Sequence, residues 1–279
     1  VSRLGLLLRA GILALFGLLV LATLAFRFTG GQWMTVSTPS MGRTAPVGTL
    51  LLVRPDPHPQ VGQFVVFHPP NQPNETYAHR LVAESEAGFK TRGDANGAAD
   101  PWTLPADAVE GRVIARLWWL GWLLRTVPDL VAGALLTMMI SALLPARHRL
   151  AARLALGSLT VALTIMLVRP FVRLVVLVNA AMDGQSTTVV VPTGLMPVTV
   201  HSLRGSTATL DPGQIGTLHS SHAGSDGQFR ISYLPHLTSW WWLVTALVWL
   251  LPLVIAMIAG NRQQPVADRQ PARSGSGGC

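Results

Sequence analysis

The sequence predicts a membrane protein whose α-helical transmembrane spans carry a mainly antiparallel β domain outside the cytoplasm, with a second small β segment further along the chain. Three observations lead there. The 279 residues are 49% hydrophobic and only 12% charged, about half the charge of an ordinary globular chain. The missing charge is concentrated, because several windows of 15 to 20 residues hold no Asp, Glu, Lys or Arg, as a hydrocarbon core requires. Between those windows lie short β-prone runs separated by Pro, Gly and Asn clusters.

The first apolar run, residues 10–26, is uncharged for 17 residues, follows Arg3 and Arg9, and stops at Arg27. Small residues near Ala22 and Ala25 imitate a processing site, but so long a run with no polar stretch before Arg27 reads as an uncleaved anchor rather than a signal peptide. The second run, residues 130–146, follows Trp118, Trp119 and Trp122, aromatic residues of the kind that settle at headgroup depth. The third, residues 154–168, is short; Arg169 and Arg173 interrupt it before residues 174–181 resume, so one span across both pieces requires tilt or snorkelling. The fourth, residues 240–259, opens with Trp240, Trp241 and Trp242 and is followed by Asn261-Arg262.

Arginines set the expected topology. Arg3 and Arg9, then Arg147, Arg149 and Arg153, then Arg262, Arg269 and Arg273 all flank spans and belong inside. Both termini are then cytoplasmic, and Arg169 and Arg173 run against this order. The implied division is 1–29 tail and anchor, 30–117 first β domain, 118–182 interfacial segment with spans two and three, 183–237 second β segment, 238–260 span four, and 261–279 basic cytoplasmic tail. Residues 49–53, 63–67 and 113–117 read as strands of the first domain, and residues 187–191, 198–202 and 229–233 as strands of the second segment.

Composition also excludes functions. Residues 28–117 carry seven basic and eight acidic residues, so no basic face is offered to nucleic acid. The lone Cys279 leaves no disulfide, no Cys-rich zinc site and no buried thiol nucleophile. His201, His219, His222 and His236 lack a His-Glu-x-x-His helix or cysteine partners, so no metal or other cofactor is expected. The spans lack polar midplane residues, which disfavours a transporter. The Arg-for-Lys bias, 20 Arg against Lys90 alone, together with Ala and Pro richness, points to a bacterium with a GC-rich genome.

Three short pieces of the first β domain hold residues able to do chemistry: Thr35-Val-Ser-Thr-Pro-Ser40-Met41 running on to Pro46-Val-Gly48, Tyr77-Ala-His79-Arg80-Leu-Val82, and Thr91-Arg-Gly93-Asp94-Ala-Asn96 with Asp100 following. Singly, each is a turn or an ordinary strand. A serine hydroxyl needs an adjacent base to attack a peptide carbonyl. Histidine, with an ordinary pKa near 6.5, serves at neutral pH, whereas a lysine near 10.4 must first be depressed by burial or cationic neighbours. Lys90 lies in sequence beside the Gly93-Asp94 turn, a setting expected to keep it an ammonium.

In this order, just beyond an N-terminal anchor, these pieces resemble type I signal peptidases, specifically the serine-histidine branch of archaea, the endoplasmic reticulum and some bacteria. The resemblance covers roughly residues 5–117. Ser40-Met41 resembles the start of the family's catalytic box, and Pro46-Val47-Gly48 leads into an apolar strand; His79-Arg80 stands where the serine-lysine branch has Lys-Arg. Val61-Gly62-Gln63-Phe64 is similar to the family's Gly-Asp strand, with Gln63 in place of Asp. Arg43 stands where the family often has proline, and Thr38-Pro39 precedes the serine.

The resemblance implies a membrane-bound serine endopeptidase that cleaves signal peptides from exported preproteins. Ser40 is then the nucleophile and His79 the base, with Asp100 the essential carboxylate and Asp94 a supporting one. The Ser40 backbone N–H, joined by the Thr38 hydroxyl, is expected to meet the oxyanion, and Met41 and Phe64 to help build substrate pockets. The partners implied are preproteins, the bilayer and the secretion machinery. Residues 183–237 are expected to form an accessory unit apart from the site. The rival reading is a catalytically inactive membrane protein whose β domains bind a partner in an export or envelope complex.

Overall fold

The computed structural model describes residues 3–182, 185–202, 205–221 and 230–244, together with positions 246, 247, 250 and 254. Helix α1 (Arg3–Phe28) leads into a first β unit made of β1 (Gln32–Thr35), β2 (Leu50–Arg54), β3 (Phe64–Phe67), β4 (Tyr77–Ser85), β5 (Gly88–Arg92) and β6 (Val109–Leu117). These form one six-stranded sheet in the order β1-β2-β6-β3-β4-β5, with every neighbouring pair antiparallel. Two apolar clusters hold it. Met41, Ala45, Leu51, Val53, Phe64 and Val66 form one, and Val65, Phe67, Leu81, Phe89, Leu104 and Val109 form the other. Val65 and Val66 thus enter opposite clusters, as the period-two alternation of a strand covered on both faces requires.

Helices α2 (Leu120–Ala142) and α3 (Ala146–Val168) follow as an antiparallel pair. Together with residues 5–28 of α1 they are long and apolar enough to cross a membrane. Each of α2 and α3 has 23 residues, about 35 Å of helix against a hydrocarbon core of about 30 Å. Their apolar side chains face outward, with Leu135, Met138, Met139, Met166 and Leu167 all exposed, the reverse of a water-soluble bundle. A Cβ on Gly133 would lie 2.1 Å from the Thr160 methyl, so the missing side chain is what lets α2 and α3 approach closely.

Two boundaries differ from the sequence reading. Helix α2 begins ten residues before the apolar run, because Arg125, Pro128 and Asp129 depress hydropathy without ending the helix. Residues 174–181 do not continue the third span; they belong to strand β7 (Leu174–Met182). Helix α3 instead gains its length at the other end, starting at Ala146, and it stops at Arg169 in the left-handed region (φ 48°) just before Pro170. Proline disfavours helix in the residue before it and cannot donate to the ladder.

Strand β7 opens a second β unit with β8 (Gln185–Pro192), β9 (Val198–Ser202), β10 (Thr207–Leu210), β11 (Gly216–Ser220) and β12 (Ile231–Pro235). They make two three-stranded sheets, β11-β8-β7 and β10-β9-β12, that share a core of Val190, Val198, Val200, Leu210 and Leu218. The expected fourth span lies mostly outside the described residues, although residues 239–244 are helical. The tail, residues 261–279, and His222 lie outside them entirely.

The junction between the first β unit and α2 is tight. Trp122, 2% exposed, donates from Nε1 to the Val47 carbonyl at 3.0 Å. The guanidinium groups of Arg125 and Arg173 lie 5.9 Å from its ring. A Cβ on Gly48 (φ 85°) would fall 2.0 Å from the indole, so the Pro46-Val-Gly48 turn is the seat of the tryptophan that ties this unit to the helices.

Candidate active site

Ser40 sits in an irregular 3-10 turn, Pro39–Thr44, entered from extended Thr38 and led by Pro39 in the first position, where a missing N–H costs nothing. Hydrogen bonds from Val36 N to Thr49 O and from Gly48 N to Val36 O fasten the entering chain to the strand that follows the turn. On its inner side, the turn rests against the Gly93-Asp94-Ala95-Asn96 loop, whose Ala95 N–H donates to the Ser40 carbonyl at 2.8 Å. A Cβ on Gly93 would stand 2.5 Å from the same oxygen. Glycine is required there because the backbone of one loop passes against the other.

His79 lies on β4, paired with Val65 of β3, and is 3% exposed. Its Nε2 is 3.0 Å from Ser40 Oγ, and its Nδ1 is 2.7 Å from Asp100 Oδ2. An ionised carboxylate can only accept, so Nδ1 carries the proton and Nε2 presents its lone pair to the Ser40 hydroxyl. The Tyr77 ring meets the imidazole edge-on at 5.7 Å, with Phe67 at 6.2 Å on another side.

Asp100 is as firmly held. Thr91 Oγ1 donates to Oδ2 at 2.6 Å, and Asp100 N donates to the Thr91 carbonyl at 2.8 Å. Trp102 Nε1 in turn donates to Thr91 Oγ1 at 3.1 Å, which leaves the threonine hydroxyl free to point its hydrogen only at the carboxylate. Thr91 and Trp102 were not singled out in the sequence. Their signal is weak, a threonine in a strand and a tryptophan two residues past an aspartate.

Asp94 is elsewhere. It receives Arg80 Nε at 2.8 Å and Nη2 at 2.6 Å, and Thr44 Oγ1 at 2.6 Å. The structure thus separates the two acids, with Asp100 on the imidazole and Asp94 tying β4 to the end of the Ser40 turn. The Arg80 guanidinium, helped by Thr44 and by the charge of Arg92, holds the Asp94 carboxyl below its ordinary range. Lys90, a neighbour of the Gly93-Asp94 turn in sequence, donates from Nζ to the Trp102 carbonyl at 2.9 Å.

Thr38 Oγ1 lies 3.5 Å from Ser40 Oγ. A cleft of about 170 Å³ opens beside the serine, with Met34, Val36, Thr38 and Met41 on one side and Glu75, Tyr77, Ala78 and His79 on the other. Met41 therefore lines it. Phe64, in the same apolar cluster as Met41, does not: it lies along a separate hollow with Gln63, Arg112, Val113 and Ile114. Met34, Val36 and Tyr77 take the lining role that was expected of it.

Among the described residues, no group of three His, Cys, Asp or Glu side chains is placed to hold a metal ion. His201, His219 and His236 bond instead to Thr207, Thr187 and Thr199.

In comparison with known families, residues 9–85 match the family model described as signal peptidase, peptidase S26. The match supports the signal-peptidase family. It includes the anchor, Ser40 and His79, and it ends before Asp94 and Asp100. It also supports a signal-peptide-processing hydrolase in general terms, a family that is membrane-associated, in keeping with the three apolar helices. No curated protein matches the chain.

The lowered pKa of Asp94 has a consequence for stability. Because the folded state favours its ionised form, the pair with Arg80 stabilises the fold above the ordinary carboxylate range and is lost as pH falls below about 4. Asp94→Asn is expected to flatten the acid limb of thermal stability measured between about pH 5 and pH 2, and an unchanged acid limb would contradict the pairing.

Proposed function

We propose that the protein is a membrane-anchored serine endopeptidase of the serine-histidine type that removes signal peptides from exported preproteins. The observation that carries this reading is the continuous chain Ser40 Oγ, His79 Nε2, His79 Nδ1, Asp100 Oδ2, with links of 3.0 and 2.7 Å. The family match supports the substrate class.

In the proposed reaction Ser40 Oγ attacks the scissile carbonyl while His79 Nε2 takes its proton, and the imidazolium is stabilised by Asp100. The oxyanion is met by the Ser40 backbone N–H, with the Thr38 hydroxyl within reach. His79 then returns the proton to the departing amine, and water, deprotonated by the same imidazole, releases the acyl group from Ser40. No cofactor enters. An extended substrate lies between residues 34–38 and 75–79, added as a strand with alternate side chains entering the cleft; its small volume favours small residues before the cut.

The arginine pattern supports both termini inside and both β units outside the cytoplasmic membrane, where preproteins emerge from the secretion machinery. Arg169 and Arg173, which run against that count, lie at the outer end of α3 in this arrangement, and Arg173 stacks on Trp122. The near-balanced charge of residues 28–117 gives the first β unit no basic face for nucleic acid.

Cleavage of a preprotein by the purified protein tests the reading. Ser40→Ala and His79→Ala should each abolish cleavage, and Lys90→Ala should retain most of it. Near-normal processing by Ser40→Ala would remove the nucleophile, whereas an active His79→Ala with an inactive but folded Lys90→Ala would assign a serine-lysine mechanism. Topology is tested separately. A reporter active only outside the cytoplasm should signal when fused after Gln60 or Ser206 and stay silent near Arg149, and the opposite pattern would invert the orientation.

A further inference from the structure

The turn that carries Ser40 is gripped from two sides, and only one of them belongs to the first β unit. On the inner side stand Gly93 and Ala95, as described. On the outer side stands the Asp211–Gln214 turn, which joins β10 to β11 in the second β unit, some 170 residues further along the chain. Arg43 Nη2 donates to Asp211 Oδ2 at 2.6 Å and to Gln214 Oε1 at 2.9 Å. The contact is also a backbone one. A Cβ on Gly213 would stand 2.5 Å from the Gly42 carbonyl oxygen and 3.1 Å from Arg43 N.

What is gripped needs holding. Gly42, two residues from the serine, has φ 52° and ψ −133°, a non-helical conformation that breaks the 3-10 turn. Glycine enters this conformation without strain and leaves it as easily, so the shape of the turn depends on what packs against it. Gly42 is wedged between Ala95 Cβ and the Gly213 carbonyl, each 3.3 Å from where its own Cβ would be. The Asp211–Gln214 turn is itself rigid. Gly213 N donates to the Pro192 carbonyl at the end of β8, Gln214 N to the Asp211 carbonyl, and Asp211 N to Gln214 Oε1. The expectation that residues 183–237 stand apart from the site therefore gives way to direct contact with the turn that bears it.

We propose that the second β unit completes the site in cis, with Gly213, Asp211 and Arg43 as positioning residues that hold the Ser40 turn in the shape that brings Oγ to His79. This rests on the serine-peptidase reading for its effect on rate, but the holding of the turn is a property of the fold alone. The ion pair is exposed, 61% on Arg43 and 58% on Asp211, so alone it contributes little. The close backbone contact is the stronger element, and the ion pair sets its register.

The test uses the full-length protein in detergent, with preprotein cleavage and backbone amide exchange of residues 39–45 measured side by side. Gly213→Ala is expected to lower kcat about tenfold or more with KM nearly unchanged, and to speed exchange across residues 39–45 while β3 and β4 stay protected. Gly62→Ala is the control for backbone strain, since Gly62 shares a positive φ (94°) but has open space around it; it should leave both readouts alone. Arg43→Asp should show a milder loss that Asp211→Arg restores. Wild-type kcat or wild-type exchange in Gly213→Ala would overturn the proposal. If Gly213→Ala loosens the whole sheet, the charge reversal decides, and failure to restore overturns it. Should the wild-type protein cleave no preprotein, the peptidase reading falls, and exchange at residues 39–45 alone then upholds or overturns the holding of the turn.

Discussion

The structure of the first β unit depends on one buried carboxylate. Asp100 would be costly to bury alone, and each oxygen contact it makes answers that cost: the Thr91 hydroxyl, steered by Trp102, and the His79 Nδ1–H. Satisfying it fixes the imidazole, because a ring bonded at Nδ1 and flanked by Tyr77 and Phe67 has one orientation left. Nε2 then points at whatever the Pro39–Thr44 turn presents, which is Ser40. Two strands and two loops are thus placed by the hydrogen-bonding needs of one group.

The second organising constraint is the anchoring of this unit to helices long and apolar enough to cross a membrane. Trp122 is buried in the Pro46-Val-Gly48 turn by a hydrogen bond and by the absence of a side chain on Gly48. That turn follows the serine turn directly, so the position of the serine relative to α2 is set within a few residues. Helix α1 enters the same sheet through β1, paired with β2. The site is therefore tied to the apolar helices at two points.

Much of this was legible in the sequence, for reasons particular to each element. The strand cores around Leu51, Val65 and Val198 announce themselves by β-branched and alternating residues, and the three motifs carrying Ser40, His79 and Asp100 are short but ordered. Hydropathy misleads at residues 174–181, since Leu-Val-Val-Leu-Val suits lipid and a β-strand equally, and here it forms an edge strand with Val176, Leu177 and Val178 exposed; Pro170 is the decisive sign. Phe64 illustrates a different limit. Whether a strand residue faces a cleft or a core depends on register, which no single strand reveals. The contact of Arg43 with Asp211 spans 168 residues and has no local signal at all. The difference between Asp94 and Asp100 rests, in the sequence, on the resemblance alone; in the structure it arises from Asp94 facing Arg80 and Asp100 facing His79.

In the proposed mechanism Asp100, by holding the proton on His79 Nδ1, keeps Nε2 ready to receive the Ser40 proton. The most direct measurement is preprotein cleavage by Asp100→Asn at neutral pH, with kcat and KM determined separately. An asparagine keeps the shape but can turn a donor toward Nδ1, which forces the proton onto Nε2 and leaves no acceptor for the serine. A fall in kcat of about a hundredfold or more, with little change in KM, is expected. A folded Asp100→Asn protein that cleaves within about threefold of the wild-type rate would contradict it.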